Sequence, residues 1–514
     1  MARVRTVGRW DSARADSSPA KRALVALTML ALVSSAGPSP AGDEDPSANP
    51  GLRAGVAPRA RSKAAVNEDW PGFLGPRHNG HSGETRLRKS FPESGPPRVW
   101  SRARGHGYAA PAIAGGRLYH FHRVDDAEQL EALDAVTGRR LWSQSDPSTY
   151  SDRYGYSDGP RATPVVHAVR SDAAKGAGGD GSTAVISTRV VTLGVDGLLQ
   201  SRRVEDGARV WRRDLKADFK LKQEFFGLAT SPLLWRDRLI INIGAPGGPS
   251  VVALDAKTGE TVWKSGKRWG ASYATPLPVT LHGEPRVLVF AGGESRPPHG
   301  GLICLDPRDG AIDFEFPWRS RKFESVNASS PVLVPGPGVL ISASYKTGGI
   351  LLDIGKDFQP KERWRTKGFA LHFNTAQYKD GVLYGFHGRH MRGATLAAFD
   401  ARTGERLWEQ QLDWQESRGE GAAKRVGTYS PFRGTLIQAD GDFLGIGELG
   451  HLLWLRLNRQ GPKILARARL FDAPECWTPP SLSHGLLYLT RNEPGRHEDR
   501  RLLCYDLRAG AKAD

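Results

Sequence analysis

Few side chains in this sequence are equipped for chemistry on their own. The cysteines are Cys304, Cys476 and Cys504, and a disulfide needs Cα atoms within about 7 Å. His120 and His122 lie two apart on an expected strand and share a face, which suits a metal, but no third ligand follows at a recognisable spacing. His387 and His390 in FHGRH, and His78 and His81 in RHNGH, read as loop hydrogen-bonders. Gly445, Gly447 and Gly450 spell a literal Gly-x-Gly-x-x-Gly, yet HLLWLRL follows as a strand, whereas a phosphate site needs a helix opening there. There is no Gly-x-Ser-x-Gly elbow and no Cys-x-x-Cys-His. No catalytic residue and no metal ligand is therefore assigned. What remains is a series of short segments rich in aromatic and amide side chains: GHGY, RYGYSDGPR, QEFFG, ASY, ESVN, LHFN, GTY and ECW. From these, Tyr156, Arg161, Phe226, Tyr273, Asn327, His372, Asn374, Tyr429 and Trp477 are the candidate binding residues. Rings can stack on a ligand or anchor a loop, while arginine and asparagine can fix its orientation by hydrogen bonds.

The elements that position these segments come from an internal repeat. ALDAVTGRRLW at 132–142 returns as ALDAKTGETVW at 253–263 and AFDARTGERLW at 398–408. Each copy reads as the end of a strand, a tight turn in which Asp binds the following amides and Gly takes the left-handed position, and a second strand carrying a tryptophan. The small Ala leaves a surface on which that ring can lie. Strands opening with a small residue and Pro recur at 109–113, 162–166, 230–234, 274–278 and 329–333, with looser versions at 374–378, 429–433 and 477–482. Eight starts with four strands per unit predict an all-β, eight-bladed propeller of antiparallel blades.

The outer-strand docking residues are Trp100, Trp142, Trp211, Trp263, Trp318, Trp364 and Trp408, with Leu470 and Phe471 in the eighth place. Trp100 precedes the first inner strand, and the last unit, 477–508, has only three strands. The N-terminal strand is therefore expected to close the ring. Trp70 lies outside the repeat phase and is expected to matter less than Trp263. Cys304 and Cys504 fall at the small Ala position of blades 4 and 8, and Cys476 and Cys504 on the first and third strands of blade 8, so three unpaired thiols are expected. In a four-stranded blade the segments before each inner strand surround one channel mouth, so the candidate residues form a rim that plugs the ring or binds a ligand.

The Ala, Asp, Gly and Trp spacing resembles the tryptophan-docking repeat of the quinoprotein (PQQ) alcohol dehydrogenase-like propellers, a superfold that includes the outer-membrane assembly lipoprotein BamB. The resemblance covers about residues 69–508; blades 2, 5 and 7 depart from the motif. It implies fold more firmly than function. Enzymes of the methanol dehydrogenase type place a vicinal disulfide against the quinone, and no adjacent cysteines exist here. The favoured reading is an exported, non-catalytic binding or scaffold propeller that presents its rim loops to a protein partner, without a cofactor. The alternatives are an oxidoreductase using PQQ with a metal ion, and a small-molecule or carbohydrate-binding module using the aromatic rim. No Cys follows the signal segment, so the lipid anchor of BamB is not expected.

Residues 1–36 read as a signal peptide: Lys21 and Arg22 precede the apolar run Ala23 to Val33, and Ser34 and Ala36 suit cleavage. Export to the periplasm or beyond follows, with anchorage if the signal stays uncleaved. Residues 37–68, without aromatics and rich in Pro, Gly and charge, are expected to be a flexible linker, and 69–514 the propeller. The formal charge is +17, mostly scattered arginine with no block of like charges. This reads as an ordinary Arg-rich surface ahead of a site for an acidic partner or an anionic membrane surface; nucleic acid is not expected as a partner, and a monomer without a transmembrane span in the mature chain is expected.

Overall fold

The computed structural model describes residues 49, 51–170, 185–418, 425–492 and 500–510. The signal-peptide expectation for residues 1–36 lies outside them. Eight antiparallel sheets account for nearly all the regular structure. Blades 1 to 7 each use four consecutive strands, from Ala112–Ala114 through Arg140–Pro147 in blade 1 to Thr435–Ala439 through Gly461–Arg469 in blade 7. Blade 8 takes Ser481–Ser483, Leu486–Arg491 and Arg501–Asp506 from the end of the chain. Its fourth strand is Arg98–Ala103, with Trp100 opposite Cys504, and Leu52–Ala54 adds a fifth at the edge. The hairpin of Trp414–Arg418 and Arg425–Tyr429, which the repeat does not announce, stands between blades 6 and 7. No helix among the described residues is long and apolar enough to cross a membrane.

The core lies between blades. Leu288, Leu302 and Cys304 of blade 4, for example, pack with Val339, Ile341 and Ile350 of blade 5. Middle strands are accordingly buried along their whole length, as in Gly301–Leu305, while outer strands such as Arg140–Pro147 are half exposed. Blade joints are locked by the docking tryptophans. The indole N–H groups of Trp100, Trp142, Trp211, Trp263, Trp364 and Trp408 each donate, at 2.8–3.2 Å, to a carbonyl in the next blade's turn. The ring lies on the turn glycine: a Cβ at Gly138, Gly207, Gly259, Gly310 or Gly404 would sit 2.5–2.8 Å from the indole. Those glycines have φ of +73° to +79°, so both backbone angle and space demand Gly.

Three details differ from expectation. The small Ala is the tryptophan's cross-strand partner within its own blade, as Ala253 is to Trp263; the surface beneath the ring is the neighbour's glycine. In blade 4 the register position belongs to Phe314, opposite Cys304, and Trp318 reaches blade 5 from beyond the strand, donating to the Gly348 carbonyl at 3.3 Å. In blade 7 the tryptophan has moved to the third strand: Trp454 faces Ala466 and donates to the Arg88 carbonyl at 2.7 Å, while Leu470 and Phe471 lie past the outer strand Gly461–Arg469.

The hydroxyls before the inner strands have a structural use. Ser231 Oγ accepts from Thr163 N (2.9 Å), Thr275 Oγ1 from Ser231 N (3.2 Å) and Thr375 Oγ1 from Ser330 N (3.3 Å), stitching successive blades around the channel. All three thiols are buried and unpaired. Cys476 sits before the inner strand of blade 8, not on it, and donates to the Thr490 carbonyl.

The expectation of a flexible linker over 37–68 does not hold for residues 51–68. Arg59 N donates to Asp506, Arg61 meets Glu84, and Glu68 holds Arg77 and the Gly83 amide. Polar anchors tie down a segment with little to bury, which a composition of apolar residues does not register. From there the chain lines the channel. Trp70, 1 % exposed, exchanges both backbone bonds with Ile113 of blade 1, and Val166 N of blade 2 donates to the Pro71 carbonyl. Gly80 and Ser82 then bond Gln438 of blade 7, and Glu84 accepts from Gly485 N of blade 8. A cavity of ≈ 120 Å³ remains between this segment and the inner strands of blades 4 to 6.

Candidate functional site

At the other mouth, side chains from the loops converge. Trp477, before blade 8, has ring centroids 5.6 Å from Tyr108, 5.5 Å from Tyr156 and 5.5 Å from Phe373. Tyr156 continues to Phe226 at 5.8 Å and Phe226 to Tyr273 at 5.4 Å; on the other side Phe373 meets His372, and His372 meets Tyr345. Arginines lie against these rings. Arg161 faces Tyr108, Tyr150 and Phe226, Arg433 faces Trp477 and Phe373, Arg389 faces Tyr345, and Arg296 faces Phe323 at 3.6 Å. Such contacts are worth about 0.5–1 kcal/mol at exposed sites and more when dry.

Two carboxylates hold the arrangement from beneath. Asp152, fully buried, takes a 2.7 Å bond from Arg161 and also accepts from the Tyr154 and Ser157 amides, shaping the loop that carries both tyrosines. Glu448, fully buried, pairs with Arg433 and accepts the Trp477 indole N–H at 2.7 Å. A third, Glu224, is pushed up to about 7 by burial, although the Glu294 amide donates to it. The Tyr273 hydroxyl accepts from Phe226 N at 3.1 Å, and burial raises its pKa. Burial, with Arg433 and Arg389 nearby, holds His372 down to about 3, so a neutral ring meets the Tyr345 hydroxyl at 3.0 Å.

Of the residues read from sequence, Tyr156, Arg161, Phe226, Tyr273, His372 and Trp477 share this one network. Asn327 and Asn374 do not. Their amides clamp backbone instead, Asn327 on the Ala291 and Trp318 carbonyls and Asn374 on Phe386 and Gly434. Tyr429 lies in the extra hairpin, opposite Trp414 and under Arg418. Tyr108, Tyr154, Phe225 and Phe373 were visible within the aromatic segments, whereas Tyr345, Arg389 and Arg433 sit in loops where only the ring geometry assigns them. His120 and His122 stack at 4.5 Å in a buried joint: Arg104 donates to His120, Gly105 N to His122, and Arg102 pairs with Glu131. Among the described residues no group of three or more His, Cys, Asp and Glu could hold a metal ion.

Fold and rim together define an eight-bladed propeller of the tryptophan-docking class, with one channel mouth lined by rings and guanidinium groups. The chain belongs to the family described as outer membrane protein assembly factor BamB, whose model matches residues 48–162, 163–410 and 250–513. Among solved structures it is similar to the quinohemoprotein alcohol dehydrogenase from Comamonas testosteroni, with 14% identity and a TM-score of 0.53 over 87% of this chain and 81% of that one. BamB from Moraxella catarrhalis is 16% identical, with a TM-score of 0.47 over 80% of this chain and 97% of that one. No curated protein sequence matches it.

Proposed function

We propose that this chain is an exported, non-catalytic binding propeller that presents its rim to a segment of a protein partner. The observation that supports it is the packing of the mouth. Trp477 is surrounded by Tyr108, Tyr156 and Phe373 and covered by Arg433, so the centre is a filled surface of rings and guanidinium faces. Tyrosine, tryptophan and arginine grouped at the centre of a patch are the side chains that anchor protein partners. The family's description as an outer membrane protein assembly factor favours a protein as the ligand and a location beyond the cytoplasmic membrane. A metal-bound quinone is a poor match for the residues present: of the carboxylates at the mouth, Asp152 and Glu448 are spent on Arg161 and Arg433 and Glu224 accepts the Glu294 amide, while the Tyr108 ring is stacked on Trp477.

Site-specific photocrosslinking in the native host tests the reading. A crosslinker at Tyr156 is expected to yield a discrete protein adduct, lost when Trp477→Ala is added, while one at Arg402 on the opposite face yields none. Adducts from Arg402 alone, or dye-linked alcohol oxidation by protein reconstituted with quinone and calcium, would sink it.

A further inference from the structure

The rim is electrically lopsided. On blades 1 to 3 the rim-side loops, residues 104–111, 125–126, 148–164, 194–197, 215–232 and 243–250, carry six basic and seven acidic side chains. On blades 4 to 6 the equivalent loops, 266–276, 292–300, 318–331, 344–347, 367–376 and 388–394, carry ten basic and only two acidic. One of those two acids, Glu294, is already engaged by Arg153 from the other half at 2.5 Å. Arg296, Arg321, Lys322, Lys346, Arg389 and Arg392 take part in no ion pair among the described residues. Their sequence positions are scattered; the ring gathers them.

We infer that the arc over blades 4 to 6 is a docking strip for an acidic, extended segment of the protein partner, an inference that rests on the rim being the binding face. Arg296 and Arg389 lie over the Phe323 and Tyr345 rings, with Cζ 3.6 and 4.6 Å from the ring centroids. A guanidinium held by its face keeps its N–H edge for a planar acceptor, and that fork matches a carboxylate in two parallel hydrogen bonds. Cations supplied by successive loops of three blades suit a chain of carboxylates better than one small anion. Single-stranded nucleic acid binds by stacking bases on open aromatic faces, and here the faces of Phe323 and Tyr345 are taken by arginine. Membrane surfaces are held by cations together with inserted apolar side chains, and none of the exposed large apolar side chains of the described residues lies on these loops.

The test uses the full mature chain and a fluorescent glutamate-rich peptide, with its glutamine counterpart, a single-stranded oligonucleotide and phosphatidylserine vesicles as comparisons. The glutamate peptide is expected to bind, more weakly as salt rises, and the combined variant Arg296→Glu, Lys322→Glu, Arg389→Glu to bind it about tenfold or more weakly. Arg402→Glu with Lys356→Glu, in turns of the opposite face, should leave binding unchanged, and matching thermal melts should show all variants folded. No binding of the peptide, equal binding of the glutamine version, an undiminished arc variant, or tighter binding of oligonucleotide or vesicles each overturns the inference. If the arc variant keeps its crosslink to the native partner while Trp477→Ala loses it, the acidic strip falls and the rim reading stands; if Trp477→Ala keeps it too, the rim reading falls.

Discussion

The two ends of the channel are closed by different means. At one end a length of backbone does the work: residues 70–84 exchange main-chain hydrogen bonds with blades 1, 2 and 7 and insert Trp70 into the core. At the other end the centre is filled by side chains, ring against ring and guanidinium against ring, over loops joined by a few main-chain bonds such as Tyr273 N to the Asn327 carbonyl, and Tyr154 and Tyr156 remain exposed. Backbone closure commits the groups it uses, because a buried N–H or C=O that loses its partner is costly. Side chains can change rotamer without breaking a ladder, so the rim is the end that can be given to a partner without loosening the fold.

That contrast can be broken most directly at Trp70. Trp70→Ala is expected to cost about 3–5 kcal/mol, since it leaves a cavity in a closed core. Trp263→Ala should cost no more, the reverse of the ranking that repeat phase alone suggests. Denaturant unfolding of both variants checks this; a Trp70 variant close to wild type would show that the segment lining the channel is dispensable. Next in size is Gly310→Ala, which places a methyl 2.6 Å from the Trp263 ring at a φ of +78° and should cost about 1–3 kcal/mol. Gly283→Ala, also at positive φ but with open space around it, should cost less, and the difference reports the docking contact.

At the rim the same measurement should give little. Tyr156→Ala with Trp477→Ala is expected to lower stability by about 1–2 kcal/mol while removing the crosslink; a loss as large as that of Trp70→Ala would make the rim part of the core. The smallest effect is electrostatic. Burial pushes Glu128 up to about 7 from 4.5, with Val195 N at 2.9 Å as its hydrogen-bond donor. The folded protein keeps a proton there that the unfolded chain has released, so stability falls as pH rises from about 4.5 to about 7. Glu128→Gln retains an acceptor for the amide and should flatten that fall. Urea midpoints of variant and wild type, compared at pH 5 and pH 8, check it.

The ring was legible because its rule is local: Asp binds its own turn, Gly takes positive φ beneath an indole, and each unit repeats. Blade 4 shows the limit, since Trp318 and Phe314 are both aromatic and near the right place, and only strand register tells which faces Cys304. The segment lining the channel was hidden for a different reason. Trp70, Gly80 and Glu84 are held by partners from blades 1, 7 and 8, and nothing between them in sequence forms an element. The candidate site was half visible. Asn327 and Asn374 carry the right chemistry, but their amides serve nearby backbone, and spacing cannot distinguish a clamp from a ligand. The basic arc was invisible as a run of charge because it exists only across six loops.

The strand Arg98–Ala103 pairs with Arg501–Asp506, and the segment just before it threads the ring that this pairing completes. Blades 1 to 7 can form as the chain emerges, each on its predecessor, but Trp100 waits for Cys504 across some four hundred residues. Contacts of such span are slow to find. Until they form, the first blade is an unfinished edge and the channel segment has only part of its wall. A chain made from its N-terminus therefore carries an open seam until its end is reached, and its final strand decides at once whether ring and thread are both secured.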